Sequence, residues 1–155
     1  MTQEATVANN TPLNLISKLS LYSKKLASGL ETIGEGFYLI NRHRIYKDPN
    51  NPITEVIEFI RSNLRENITL KRLSEKSCMS TTSFYRLFKR ELGMSPIEFV
   101  LHEKIRCAKK LLKNPTIQIN EVCYLSGFED ANYFIRLFKK HEGITPKQYQ
   151  LLHVN

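Results

Sequence analysis

Tryptophan is absent from this 155-residue chain, glycine and proline occur six times each, and acidic residues are scarce, 15 Asp and Glu standing against 23 Lys and Arg. No apolar run exceeds four residues, Phe37 to Ile40 being one such run, whereas a bilayer crossing needs about 20. The opening "MTQEATVANNTP" does not have the charged-then-apolar order of a secretion signal. A cytoplasmic setting with no membrane partner is therefore expected. The three cysteines, at 78, 107 and 123, form no CxxC pair, which argues against a disulfide framework and a zinc finger and for buried or half-buried free thiols. Histidines at 43, 102, 141 and 153 never sit at i+3 or i+4 from another histidine or a cysteine, as a metal pair on one helix requires. With so few glycines there is no phosphate-cradling loop and no nucleophile elbow. No enzyme, metal or cofactor is expected.

What is present is positive charge and helix. The formal charge of +8 favours a partner with dense negative charge, nucleic acid ahead of an anionic membrane surface, and 41% hydrophobic residues suffice for a core. The basic residues lie on compact repeated segments and not along one apolar-faced helix, which disfavours the membrane surface.

The segment "FYRLFKRELGMSP" at 84–96 returns as "FIRLFKKHEGITP" at 134–146, with seven of thirteen positions identical at an offset of fifty. Two copies are too few for a stacked solenoid, so the repeat is a duplicated module. From residue 53 onward the apolar spacing is helical. Ile53, Val56, Ile57, Ile60 and Leu64 form a one-sided helix with Pro52 in its first turn. Thr69 can cap a short helix from Leu70 to about Ser77 with Leu70 and Leu73 inward, and Ser80 a third of about 81–92 with Phe84, Leu87 and Phe88 inward. Helix, tight turn and helix with a polar outer face is the helix-turn-helix arrangement. Gly93 stops the third helix, and Ser95 to Glu98 opens a long one of about 96–112 as a capping box. Its inward stripe reads Ile97, Val100, Leu101, Ile105, Ala108, Leu111 and Leu112; Lys104, Arg106, Lys109, Lys110 and Lys113 read as its outer face. The plan then repeats: a helix near 119–126 closed by Gly127, one of about 131–142 capped by Asp130, Gly143, and a last short helix opened by Thr145 to Gln148. Upstream the register slips by one, Leu73 lying seven residues before Ser80 and Val122 eight before Asp130. The expected fold is all-α, two helix-turn-helix motifs joined by a long linker helix, at 51–155, with an N-terminal extension at 1–50.

Major-groove readout needs a helix with polar side chains at i, i+3 and i+4 on its outer face and flanking cations for phosphate. The first repeated helix offers Thr82, Tyr85 and Arg86, and the second places Ala131, Asn132, Ile135 and Arg136 on the matching face. Arginine can hold guanine O6 and N7 with two hydrogen bonds, and asparagine can pair with adenine N6 and N7. Lys89, Arg90, Lys139 and Lys140 suit phosphate. Residues 51–155 carry 17 Lys and Arg against 11 Asp and Glu, and an arginine repeated at the same register speaks against a merely solvated face. Phe84, Phe88, Phe134 and Phe138 are core by spacing, pointing away from any base.

The stretch 53–149, about two thirds of the chain, resembles the DNA-binding domain of the AraC/XylS family of bacterial transcription regulators. "SGFEDANYFIRLFKKHEGITPKQY" at 126–149 is similar to that family's second motif nearly residue for residue, and "MSTTSFYRLFKRELGMSPIEFV" at 79–100 to its first. The resemblance implies that Thr82, Tyr85 and Arg86 enter one major-groove segment of double-stranded DNA and Ala131, Asn132 and Arg136 the next. It also implies a sequence-specific regulator on the bacterial nucleoid, an activator that contacts RNA polymerase. Three positions depart from the family pattern. Lys104 stands where the linker helix usually has arginine, Gln150 replaces an arginine common after the last tyrosine, and Ala131 removes a frequent polar contact, which implies fewer base contacts by the second motif.

Residues 1–50 fall outside the resemblance and are too few for the β-rich effector domain that many family members carry. Leu15, Leu19, Tyr22 and Leu26 alternate spacings of four and three, which fits a coiled-coil seam for a homodimer through residues 13–30 or a helix packed on its own domain. The alternative function is a co-regulator or anti-activator that binds a related regulator or RNA polymerase through this segment.

Overall fold

The computed structural model describes Ile45 and residues 51–153, and the expected N-terminal stripe with its homodimer seam lies outside them. Among the described residues the structure is helical throughout: α1 (Pro52–Ser62), α2 (Leu70–Lys76), α3 (Thr81–Leu92), α4 (Pro96–Leu111), α5 (Ile119–Leu125), α6 (Ala131–Glu142) and α7 (Pro146–Leu152). None of these helices is long and apolar enough to cross a membrane.

Local chemistry accounts for the starts and stops. Thr69, Ser80, Ser95, Asp130 and Thr145 each accept a hydrogen bond from a backbone N–H of the first turn they precede, satisfying donors that a helix cannot pair internally. Ser95 with Glu98 and Thr145 with Gln148 form reciprocal capping boxes. Gly93 and Gly143 close the two repeated helices in the left-handed conformation, φ 74° and 77°, where a side chain would be strained.

The apolar faces assemble into two clusters, not one. Ile53, Val56, Ile57, Ile60, Leu73, Phe84, Phe88, Leu92, Met94, Phe99 and Val100 form the first, around α1, α2, α3 and the start of α4. Ile105, Ala108, Leu112, Val122, Cys123, Phe128, Phe134 and Phe138 form the second, around the rest of α4, α5 and α6. Each cluster is one motif's core, and α4 serves both.

That double duty corrects the inward stripe expected for α4. Ile97 is 40% exposed, while Phe99, Val100 and Glu103 take the buried positions. A single stripe averages two faces that point to different cores. Helix α1 also ends earlier than its periodicity suggests: Asn63 donates its side-chain amide to the Phe59 carbonyl, 2.7 Å, and Leu64 reaches the first cluster from the following loop. On α6, Ile135 is half-buried against the second cluster and not on the polar face.

Ile45 adds a member that the boundary at residue 51 leaves out. It is fully buried in the first cluster, and its carbonyl accepts a hydrogen bond from the Thr54 hydroxyl, 3.1 Å. Ile45→Ala is expected to cost about 2 to 4 kcal/mol by leaving a cavity beneath α1. Urea unfolding monitored by circular dichroism measures this, and a change below about 1 kcal/mol would show that the site collapses or is already wet.

Candidate nucleic-acid interface

Each helix-turn-helix turn has the same backbone design. Cys78 and Gly127 are both left-handed, φ 54° and 89°, and the next residue donates its N–H five residues back, Met79 to Ser74 O and Phe128 to Cys123 O, both 3.0 Å. Helices α2 and α5 are offset by 49 residues and α3 and α6 by 50. The register slip is therefore one residue, Glu129, inserted between the second turn and its cap Asp130. It leaves both turn and cap intact.

On α3, Thr82, Tyr85, Arg86, Lys89 and Arg90 are all exposed; on α6, Asn132, Arg136, Lys139 and Lys140 are exposed and Ala131 is half-buried against the second cluster. The buried counterparts are Phe84 and Phe88 in α3 and Phe134 and Phe138 in α6. The expected readout positions thus share solvent-facing helix surface, except that Ala131 contributes packing as well. No ion pair or side-chain hydrogen bond engages Thr82, Arg86, Asn132, Arg136, Lys139 or Lys140 among the described residues. Lys89 lies over the Tyr85 ring at 5.9 Å, and Arg90 pairs with Glu91 at 3.2 Å.

The cations of α4 behave differently, which corrects their reading as one outer face. Lys104 donates to the Gly127 carbonyl at 2.6 Å, Arg106 to Glu103 at 2.5 Å and Lys109 to Glu142 at 2.9 Å. Of the five expected surface charges, only Lys110 and Lys113 are exposed. Lys104 and Lys109 tie the second motif to the linker, and Arg106 bonds within the linker helix itself.

Glu103 is the centre of one tie. It is 1% exposed and faces Arg61 of α1 at 2.9 Å, Arg106 at 2.5 Å and His102 at 3.7 Å. Burial alone would raise its pKa; bonding to His102 and Arg61 and the charges of Arg106 and Arg61 outweigh it and bring the value down to about 2. Gly127 is the centre of another. A Cβ there would lie 2.0 Å from the Leu64 carbonyl oxygen, so the α1–α2 loop of the first motif rests directly on the turn of the second. Beside it, Arg65 stacks over Tyr124 at 5.2 Å. Gln150 is structural too, its buried amide donating to the Asn114 and Ile117 carbonyls at 3.0 and 2.8 Å and closing α7 onto the α4–α5 loop.

None of these long-range ties was legible beforehand, because their partners are 23 to 63 residues apart. Glu103 could have been suspected as an acid at an i+4 spacing from Phe99, on the same face. No group of three His, Cys, Asp or Glu that could hold a metal occurs among the described residues.

Comparison with known proteins agrees with this architecture. A helix-turn-helix domain family matches residues 73–151, half of the chain. The XylDLEGF operon transcriptional activator 2 of Pseudomonas putida is 30% identical over 107 residues, which cover 66% of this chain and 68% of that protein. Two other curated transcriptional regulators are longer, the match spanning 32% and 37% of their lengths. Among solved structures, the C-terminal domain of the response regulator YesN of Fusobacterium nucleatum is 36% identical with a TM-score of 0.58, covering 63% of this chain and 97% of that one. The DNA-binding domain of AdpA, in complex with a target DNA, has the same fold, with a TM-score of 0.63 at 24% identity over 66% of this chain and 92% of that one. With two helix-turn-helix motifs on a shared linker helix, repeated polar faces and these relatives, the chain belongs to the AraC/XylS-type family of helix-turn-helix transcription regulators.

Proposed function

We propose that this chain is a sequence-specific transcription activator that lays α3 and α6 into successive major-groove segments of one DNA site. Thr82, Tyr85 and Arg86 read bases in the first segment, and Asn132 and Arg136 in the second, with Ala131 offering only an apolar contact. Lys89, Arg90, Lys139 and Lys140 hold phosphates on either side. The observation that carries this reading is the pair Arg86 and Arg136: the same register on two helices of 12 residues, both exposed, neither neutralised among the described residues. Elsewhere the chain ties arginines up, as with Arg61 and Arg106 on Glu103. The activator reading draws on the Pseudomonas putida relative, whose name gives it that role, and RNA polymerase is the partner such a role requires.

A site is first selected from a random DNA pool. Two grooves read by helices on one rigid body are one helical turn, about 10 base pairs, apart, so a single chain protects an asymmetric stretch of about two turns. Arg86→Ala and Arg136→Ala are each expected to cost about 1 to 3 kcal/mol on that site and to relax base preference at one local position. Lys139→Ala weakens specific and random DNA alike and lowers the salt slope by about one. Equal losses on specific and random DNA for both arginines would reduce them to phosphate contacts and refute the assignment.

A further inference from the structure

The two motifs have separate cores, so what fixes the distance and rotation between α3 and α6 is the material between them: α4, the Leu64 to Gly127 backbone contact and the side chain that holds Gly127 in place. That side chain is Lys104. Its ammonium donates to the Gly127 carbonyl at 2.6 Å and lies over the Phe128 ring at 5.6 Å, so one residue of the linker grips the second motif's turn at the spot where the first motif's loop abuts it. The grip is partly withdrawn from water: burial, opposed by the nearby Glu129 charge, lowers the Lys104 pKa. The polar and ring contacts of Lys104 are with Gly127 and Phe128, neither of which is a readout residue.

We infer that Lys104 is a positioning residue that sets the phase between the two recognition helices, and through it the spacing of the two DNA segments that this chain accepts. The inference rests on the two-groove reading above. A base pair inserted between the segments shifts one against the other by 3.4 Å and rotates it by roughly 35°. A rigid body cannot follow that, whereas a body hinged at the Gly127 turn can. The Leu64 contact alone stops the motifs from closing further but does not stop them from parting; Lys104 supplies the attraction at the Gly127 turn itself, with Arg65 over Tyr124 and Lys109 on Glu142 to either side.

The test uses the full chain and a set of duplexes built from its selected site, with the segment between the two readout elements shortened or lengthened by one or two base pairs. For the unaltered chain, a one-base-pair change is expected to lower affinity roughly 100-fold, the equivalent of losing most of one motif's base contacts. Lys104→Met keeps the stem and removes the donor. It is expected to bind the best spacing only a few-fold more weakly and to flatten the profile, so that the same change costs about tenfold or less. Lys104→Arg, which keeps a charged donor, should restore the steep profile. Base preference at each position within a segment should be the same in all three proteins, which a general loss of stability would not produce. Lys104→Leu, shorter and likewise without a donor, replaces the methionine variant if that one melts below the assay temperature. A spacing profile that stays steep in the methionine or leucine variant overturns the inference. A flat profile in the unaltered chain overturns the two-groove reading itself, which separates the two failures.

Discussion

Gly127→Ala is expected to be the most damaging single-methyl change in the described part of the chain, lowering stability by roughly 3 kcal/mol or more. Two costs add at this position. The backbone is left-handed, φ 89°, which for a residue with a side chain is strained by about 1 kcal/mol or more. The added methyl would then stand 2.0 Å from the Leu64 carbonyl oxygen and 2.7 Å from its carbon. Those are backbone atoms, so no rotamer change relieves the clash, and the α1–α2 loop or the second turn must move. Because the hydrophobic clusters are separate, each motif can keep its own core while the junction opens. Thermal unfolding should therefore fall in midpoint and also broaden into two steps, the calorimetric enthalpy exceeding the van't Hoff value. Cys78, left-handed at the equivalent place in the first turn, is exposed, and Cys78→Gly is expected to be neutral or stabilising. An unchanged melting curve for Gly127→Ala would mean that the two motifs do not rest on each other in solution.

Removing the carboxylate of Glu103 is expected to cost about 3 kcal/mol, the usual consequence of deleting one member of a buried charge cluster. Glu103→Gln is nearly the same size, so little of that loss is packing. What remains is Arg61 and Arg106 converging on a neutral amide, with α1 no longer anchored to α4 by charge. The pH dependence follows from the same contacts. The folded-state pKa of Glu103 is about 2 against an ordinary 4.5, so its contribution is complete above about pH 5 and is lost as pH falls from there toward 2. Integrated over that window it amounts to about 3 kcal/mol at most. Unfolding free energies of the native chain and of Glu103→Gln, measured from pH 6 down to pH 2.5, should converge as the solution becomes more acidic. A gap that persists unchanged at the acid end would assign the loss to geometry and not to charge.

The caps show why so much of this fold could be read before any coordinates. Thr69, Ser80, Ser95, Asp130 and Thr145 act on backbone groups three residues away, so their meaning is local and survives in the bare sequence. The same holds for Phe84, Phe88, Phe134 and Phe138, whose spacing alone puts them on one side of a helix. The polar residues opposite them, Arg86 and Arg136 above all, are located by the same periodicity, and the repeat at an offset of fifty gives their register. Sequence alone thus determined the helices, their order, the doubled motif and the positions of the exposed polar faces, because each depends on contacts within about one turn.

Tertiary structure decided everything that needs two distant segments. Lys104, Arg106 and Lys109 look alike as exposed cations on a helical wheel, yet each has a polar partner in the folded chain, and for Lys104 and Lys109 that partner lies in another element. Ile97 carries an apolar side chain outward because Phe99 and Val100 had already filled the first core from the same helix. Ile45 joins that core from beyond the apparent boundary, and Glu103 is buried because Arg61 arrives from 42 residues away. Such choices depend on which faces meet in space, and chain closure over tens of residues leaves no periodic trace in the sequence.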